Sequence, residues 1–176
     1  MTKNPEKYAP LRVGLHWLML LLIVAVYATI NLKDQFPKGS SGRATLETWH
    51  FMLGLSVLTL VTVRLLARWA QPSPHLLKGP AWQIWLAKLT HLGLYALMLG
   101  LPILGWLTLS TAGKPIPFFG LELPALLTVN KDLSGQIKQV HEVLATAGYY
   151  LIGLHAAGAL FHHYVVKDST LRRMWL

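Results

Sequence analysis

Three of the eight histidines, His141, His155 and His162, fall on one face of the last strongly apolar segment of a chain that has no cysteine. An α-helix turns about 100° and rises about 1.5 Å per residue, so His141 and His155 lie within about 40° of each other and roughly 21 Å apart along the axis. His162 lies within about 20° of His155, whereas His163 points about 100° away from His162 and faces elsewhere. Ionisable side chains in a membrane helix are costly unless they face the bundle interior and act there. A neutral imidazole offers a lone pair to iron, so the chemistry this stripe suggests is axial ligation of haem. Gly148 and Ala159 lie on the same stripe, where small side chains would leave room for a flat macrocycle.

The elements that must position these groups are membrane helices. With 53% hydrophobic and 13% charged residues among 176, the composition does not read as a soluble globule. Four apolar stretches approach or exceed the roughly 20 residues a spanning helix needs: Arg12 to Ile30, Thr48 to Trp69, Trp82 to Ser110 and Ile137 to Val166. The expected fold is an all-α integral membrane protein, a four-transmembrane-helix bundle, with residues 1–176 as a single domain. The first stretch follows a polar leader, lacks a small-residue cleavage site and carries His16, so it reads as a retained helix. The prolines and glycines of Gln71-Pro-Ser-Pro74 and Gly113-Lys-Pro-Ile-Pro117 end helices rather than join domains.

Ten of the sixteen Lys and Arg lie in the leader, the second connection with its flanks, and the tail. By the positive-inside rule both termini are cytoplasmic. The net charge of +9 comes from residues flanking membrane segments, where anionic lipid headgroups are the simpler partner than nucleic acid. The lack of cysteine excludes disulfides, iron–sulfur clusters, thiolate ligands and covalent c-type haem attachment. Most of the seven tryptophans, including Trp17, Trp49, Trp69, Trp82 and Trp85, sit near segment ends, as interfacial anchors do.

With the helices alternating in direction, depth can be compared from the outer face. His50 and His141 both lie about one turn below it, whereas His16 lies about 21 Å and His155 about 27 Å down, close enough to share a level given tilt. Two levels of paired histidines are what two bis-imidazole haems in a bundle require. His91 lies on the inner side at a depth that competes with His16 or His155, and His75 in its proline-rich loop reads as solvated. A single histidine in a membrane helix is more often a helix-to-helix hydrogen bonder, whereas four at two matched depths point to haem.

Several stretches carry a likeness: Arg12-Val-Gly-Leu-His16-Trp17, Trp49-His50 at the start of the second helix, His141-Glu142 followed by Gly148-Tyr149, and Gly153-Leu-His155-Ala-Ala157 through His162-His163-Tyr164 to Lys167-Asp168. The chain resembles the bacterial cytochrome b561 family over essentially its whole length, and within it the small stand-alone superoxide oxidases. The resemblance implies a bacterial inner-membrane protein holding two non-covalent b haems, one on His16 and His155 and the other on His50 and His141. It also implies superoxide as electron donor and ubiquinone as acceptor near the inner haem, with no obligate protein partner. By position, His162, His91 and Arg68 are the residues for that quinone site; haem propionates or lipid headgroups are alternative partners for them. Glu142 is either a neighbour supporting His141 or an i,i+4 partner of Lys138.

Two other functions fit the same features. One is a cytochrome b subunit relaying electrons between a partner dehydrogenase and the quinone pool; the other is a polar-lined transporter or metal-ion carrier. An anionic substrate would favour a positive outer face, yet the outer connections hold six basic residues against five acidic ones, so only a local cluster could steer it.

Overall fold

A computed structural model describes residues 7–71 and 79–175. Four helices carry the fold: α1 (Pro10–Leu32), α2 (Ser41–Ala70), α3 (Ala81–Ala112) and α4 (Lys131–Phe161). Each is long and apolar enough to cross a membrane. Helix α4 runs on through a π-helical turn, His162–Val166, which Lys167 ends in the left-handed region at φ 58°.

Two of the helices begin well before their apolar stretches, because polar caps rather than hydrophobicity start them. Ser40 accepts a hydrogen bond from the Arg43 amide at 3.3 Å, and Asn130 accepts one from Leu133 at 3.0 Å, each satisfying an amide that the helix leaves open. The first turns of α2 are then held by Arg43, which pairs with Asp34 at 3.1 Å and Glu47 at 3.5 Å. Pro10 opens α1, where its missing N–H costs nothing. Gly113 closes α3 at φ 68°, a conformation in which a Cβ would be strained.

The bundle runs up and down. Met52, early in α2, accepts at its sulfur from the Phe119 amide of the α3–α4 connection, so the ends of α1 and α3 lie with the starts of α2 and α4. At the opposite end Trp17 donates to the Met174 carbonyl at 2.9 Å, and the chain folds back beneath α1. We call these the hairpin end and the tail end. The hairpin consists of two short antiparallel strands, β1 (Pro117–Phe118) and β2 (Leu121–Glu122). Its two turn residues, Phe119 and Gly120, both have positive φ, as a right-twisting two-residue turn demands.

Backbone contacts run from α1 to α2, α2 to α3 and α3 to α4. One apolar cluster centres on Met19, Val57 and Val61, with partners from α1, α2 and α3. A second joins Leu55, Leu109 and Ile116 with residues of α2, α3 and the hairpin connection. Neither includes a residue of α4, whose only buried residues are Ser134 and Gly148. The fourth helix, which carries the histidine stripe, packs chiefly on α3 and adds no residue to either cluster.

Candidate functional site

At the hairpin end, His50 of α2 and His141 of α4 meet with ring centres 6.3 Å apart and planes at 74°. His50 Nδ1 lies 3.1 Å from the Val26 carbonyl of α1. An N–H at Nδ1 satisfies that carbonyl and leaves the lone pair on Nε2 for a ligand. His141 sits against Gly105 of α3, where an added Cβ would lie 3.6 Å from its Cε1. Its Nδ1 is buried without a hydrogen-bond partner among the described residues, and the Leu101 carbonyl lies near the ring. A buried ring nitrogen left this way calls for a partner.

At the tail end, His16 of α1 and His155 of α4 stand 6.1 Å apart with planes at 70°. His91 of α3 is nearer still to His155, at 5.2 Å, and its Nδ1 lies 2.6 Å from the Ala87 carbonyl one turn back. The structure therefore brings together both pairs that depth and resemblance grouped, with His91 beside one of them. Metal–imidazole bonds of about 2.0–2.1 Å, with each ring centre roughly 1.1 Å behind its nitrogen, put two rings on opposite sides of one metal about 6.2–6.4 Å apart. His50–His141 falls within that range and His16–His155 about 0.1 Å below it, whereas His91–His155 falls about 1 Å short.

The remaining predicted residues lie around the tail end. Arg68 is exposed, with its guanidinium 5.8 Å from the centre of the Tyr95 ring. His162 pairs through Nδ1 with Asp168 at 2.6 Å, where α4 gives way to the π-helical turn. Burial works to raise the Asp168 pKa, but hydrogen bonds from Thr170 and His162 outweigh it and hold the carboxyl below its usual range. His163 packs against Tyr164 at 4.8 Å, and His75 lies outside the described residues. Lys138 and Glu142 form an exposed ion pair at 3.4 Å, which gives Glu142 the i,i+4 role.

One expectation needs correcting. Gly148 leaves no room for a macrocycle, because Tyr27 of α1 fills it: a Cβ there would lie 2.5 Å from the tyrosine oxygen. That hydroxyl donates to the Ala145 carbonyl at 2.8 Å, and the ring packs against Tyr149 at 4.2 Å. Asn31 donates to the Tyr149 hydroxyl at 2.8 Å. This clip between α1 and α4 was invisible to a reading that followed one helix at a time.

The comparisons with known proteins agree with one another. The sequence profile described as prokaryotic cytochrome b561 matches residues 7–176. The chain belongs to this family. It is 38% identical over 170 residues to "Cytochrome b561 homolog 1" of Escherichia coli K12, covering 96% of this chain and 97% of that one. It is also 38% identical over 170 residues to the "Probable superoxide oxidase CybB" of Yersinia pestis, covering 96% of each. "Cytochrome b561 homolog 2" of E. coli K12 is 30% identical over 184 residues, covering 98% of this chain and 93% of that one.

A cytochrome b561 is a membrane electron-transfer protein, and the family implies b-type haem. The donor set fits that group: an imidazole pair at each level, with His91 beside the tail-end one, and no cysteine. Among the described residues no three His, Asp or Glu side chains converge as a bare metal ion would need. Two suffice for haem iron, whose ring already supplies four nitrogens, so the arrangement favours haem over the metal-ion carrier.

Proposed function

We propose that residues 1–176 form a single di-haem b cytochrome domain of the bacterial inner membrane, an oxidoreductase that takes electrons from superoxide and gives them to ubiquinone. The observation that carries this reading is the pair of histidine pairs, one in each half of the bundle, with ring centres 6.1 and 6.3 Å apart, near enough for each pair to hold one haem. The hairpin end faces the periplasm and the tail end, with both termini, the cytoplasm, as the excess of basic residues there supports. Similarity to a probable superoxide oxidase supports the choice of donor.

His50 with His141, and His16 with His155, would hold haem b, which would supply one-electron transfer across the membrane. Two superoxide anions each lose one electron and leave as dioxygen; one quinone takes up both electrons and two protons and leaves as quinol. The chain's residues hold and orient. The Val26 carbonyl fixes His50 with Nε2 free, and the hairpin connection covers the first half of α2 through the Phe119 amide. At the tail end His162, His91 and Arg68 are the residues for the quinone. Asp168 holds the ring of His162 from one side, and an imidazole so held can bond a quinone oxygen and pass it a proton. On this reading the chain needs no dehydrogenase partner.

The purified chain alone should show a redox-sensitive Soret band, reduction by superoxide and reoxidation by added ubiquinone. His162→Ala should keep the first two and slow the third. Reduction by superoxide no faster than in a haem-free control would leave the partner-dehydrogenase subunit as the better reading. Reoxidation unchanged in His162→Ala would move the quinone site elsewhere.

A further inference from the structure

Fourteen residues separate His141 from His155 on α4, and the same number separates His50 from Arg64 on α2. His50 and His141 stand across from each other, and α2 and α4 run in the same direction. Equal steps of roughly 21 Å therefore take both helices down to the level of the tail-end pair, each still within about 40° of its starting face. On α4 that step arrives at His155. On α2 it arrives at Arg64.

The side chain bears this placement out. Arg64 is half-buried, its Nε donates to the Tyr95 hydroxyl at 3.3 Å, and it lies within electrostatic reach of His16, His91 and His155. No carboxylate answers it. The sequence has no Asp or Glu between Glu47 and Glu122, and no ion pair among the described residues involves Arg64. A guanidinium held inside a membrane bundle without an anion is costly. With Nε committed to Tyr95, both terminal nitrogens of the fork remain for a ligand.

We propose that Arg64, oriented by Tyr95, anchors a propionate carboxylate of the haem held by His16 and His155. The inference rests on the haem reading of that pair. The planar fork suits a carboxylate bound by two parallel hydrogen bonds. A haem at this level would bring an anionic group to a guanidinium that pairs with no Asp or Glu among the described residues. Arg64 is then a positioning residue: it sets the rotation of the macrocycle between its ligands and offsets the propionate charge, which favours the reduced form.

The test uses Arg64→Gln in the purified full-length chain, with three readouts besides activity: haem transfer to excess apomyoglobin, the propionate bending band in resonance Raman spectra, and a redox titration. The tail-end haem should leave about tenfold faster or more, as loss of a charge-assisted hydrogen bond implies. Its propionate band should shift and its midpoint potential fall, while the hairpin-end haem keeps its values. Arg64→Lys, which keeps the charge and loses the fork, should restore the potential but not the band, and it stands in should the glutamine variant fail to fold. Unchanged haem loss and an unchanged band in Arg64→Gln overturn the proposal. If phospholipid bound per chain falls in mass spectrometry with those two unchanged, the anion is a lipid phosphate; if only quinone reoxidation slows, it is the quinone. A protein with no Soret band fails the haem reading itself, an outcome distinct from these.

Discussion

The Tyr27–Gly148 contact sets a test whose sign reverses with genetic background. In Gly148→Ala the new Cβ would lie 2.5 Å from Tyr27 Oη, whereas the next atoms, Leu97 Cδ1 at 3.7 Å and Tyr27 Cζ at 3.8 Å, are at ordinary contact distance. The hydroxyl alone is the obstacle. It cannot withdraw without leaving the Ala145 carbonyl and disturbing the Tyr149 ring beneath it. Overpacking costs about 1–3 kcal/mol and the lost hydrogen bond about 0.5–1.5 kcal/mol, so Gly148→Ala should destabilise the protein by about 2–4 kcal/mol. In a Tyr27→Phe background the obstacle is gone. Alanine should then be neutral or, through the helix propensity that glycine lacks, stabilising by up to about 1 kcal/mol. A double-mutant cycle in mixed micelles, with reversible unfolding by dodecyl sulfate followed by tryptophan fluorescence, reads the coupling directly. An equal cost of Gly148→Ala in both backgrounds would refute the claim that Tyr27 occupies this space.

Other outcomes follow from the same geometry. His50→Ala or His141→Ala should remove about half of the haem in a pyridine haemochrome assay and spare the tail-end site, and His16→Ala or His155→Ala should do the converse; one haem in the unmodified protein, or haem lost from His91→Ala but not from His16→Ala, would overturn the pairing. At the hairpin end Lys33 and Arg43 pair with Glu47, Arg43 with Asp34 and Lys138 with Glu142, which leaves Lys38, Lys114 and Lys131 to steer an anion. Reduction by superoxide should therefore slow as salt rises and the screening length shortens to about 8 Å at physiological ionic strength, and replacing those three lysines with glutamine should flatten that dependence in stopped-flow traces. Because Asp168 has its pKa depressed in the fold, the stability it contributes to the tail is fully present above its unfolded value of about 3.9 and is lost as pH falls through the folded value. Hydrogen exchange at the Thr170 amide should stay protected near neutral pH and open in that acid range, and Asp168→Asn should abolish the acid transition.

The helices and the two histidine levels were legible because both obey one period. Apolar length marks a span, and steps of seven or fourteen residues keep a side chain on one face. Helix starts were less legible: α2 begins at Ser41 and α4 at Lys131, within polar segments where a cap, not hydropathy, decides. The role of Gly148 was misread for a related reason. A small residue on a stripe signals a close approach, but which group approaches depends on the neighbouring helix, here α1 with Tyr27. Asp168 could have been found beside His162, since a carboxylate six residues on is within reach of a chain that turns back. Arg64 could have been found by applying to α2 the fourteen-residue step already used on α4; attention to histidine alone hid it.

Helix α4 joins the bundle by packing and polar links outside the two apolar clusters. Between helices in lipid there is no hydrophobic driving force, so association relies on close packing and polar links. Helix α4 uses both: it packs chiefly on α3, and hydrogen bonds of Tyr27, Asn31 and Ser134 link it to α1 and α3. It meets α3 where Gly93 admits Leu151 and Gly105 faces His141, and it meets α1 through Tyr27, but it lends nothing to the apolar clusters that bind α1, α2 and α3 together. In the proposed arrangement each haem iron bonds α4 to another helix, α2 through His50 and α1 through His16. Anything that binds only the assembled bundle stabilises it by its binding free energy. In that arrangement the two histidines of α4 would fasten as well as conduct, and a chain made without haem should unfold at a lower dodecyl sulfate fraction than the loaded one, as tryptophan fluorescence would read.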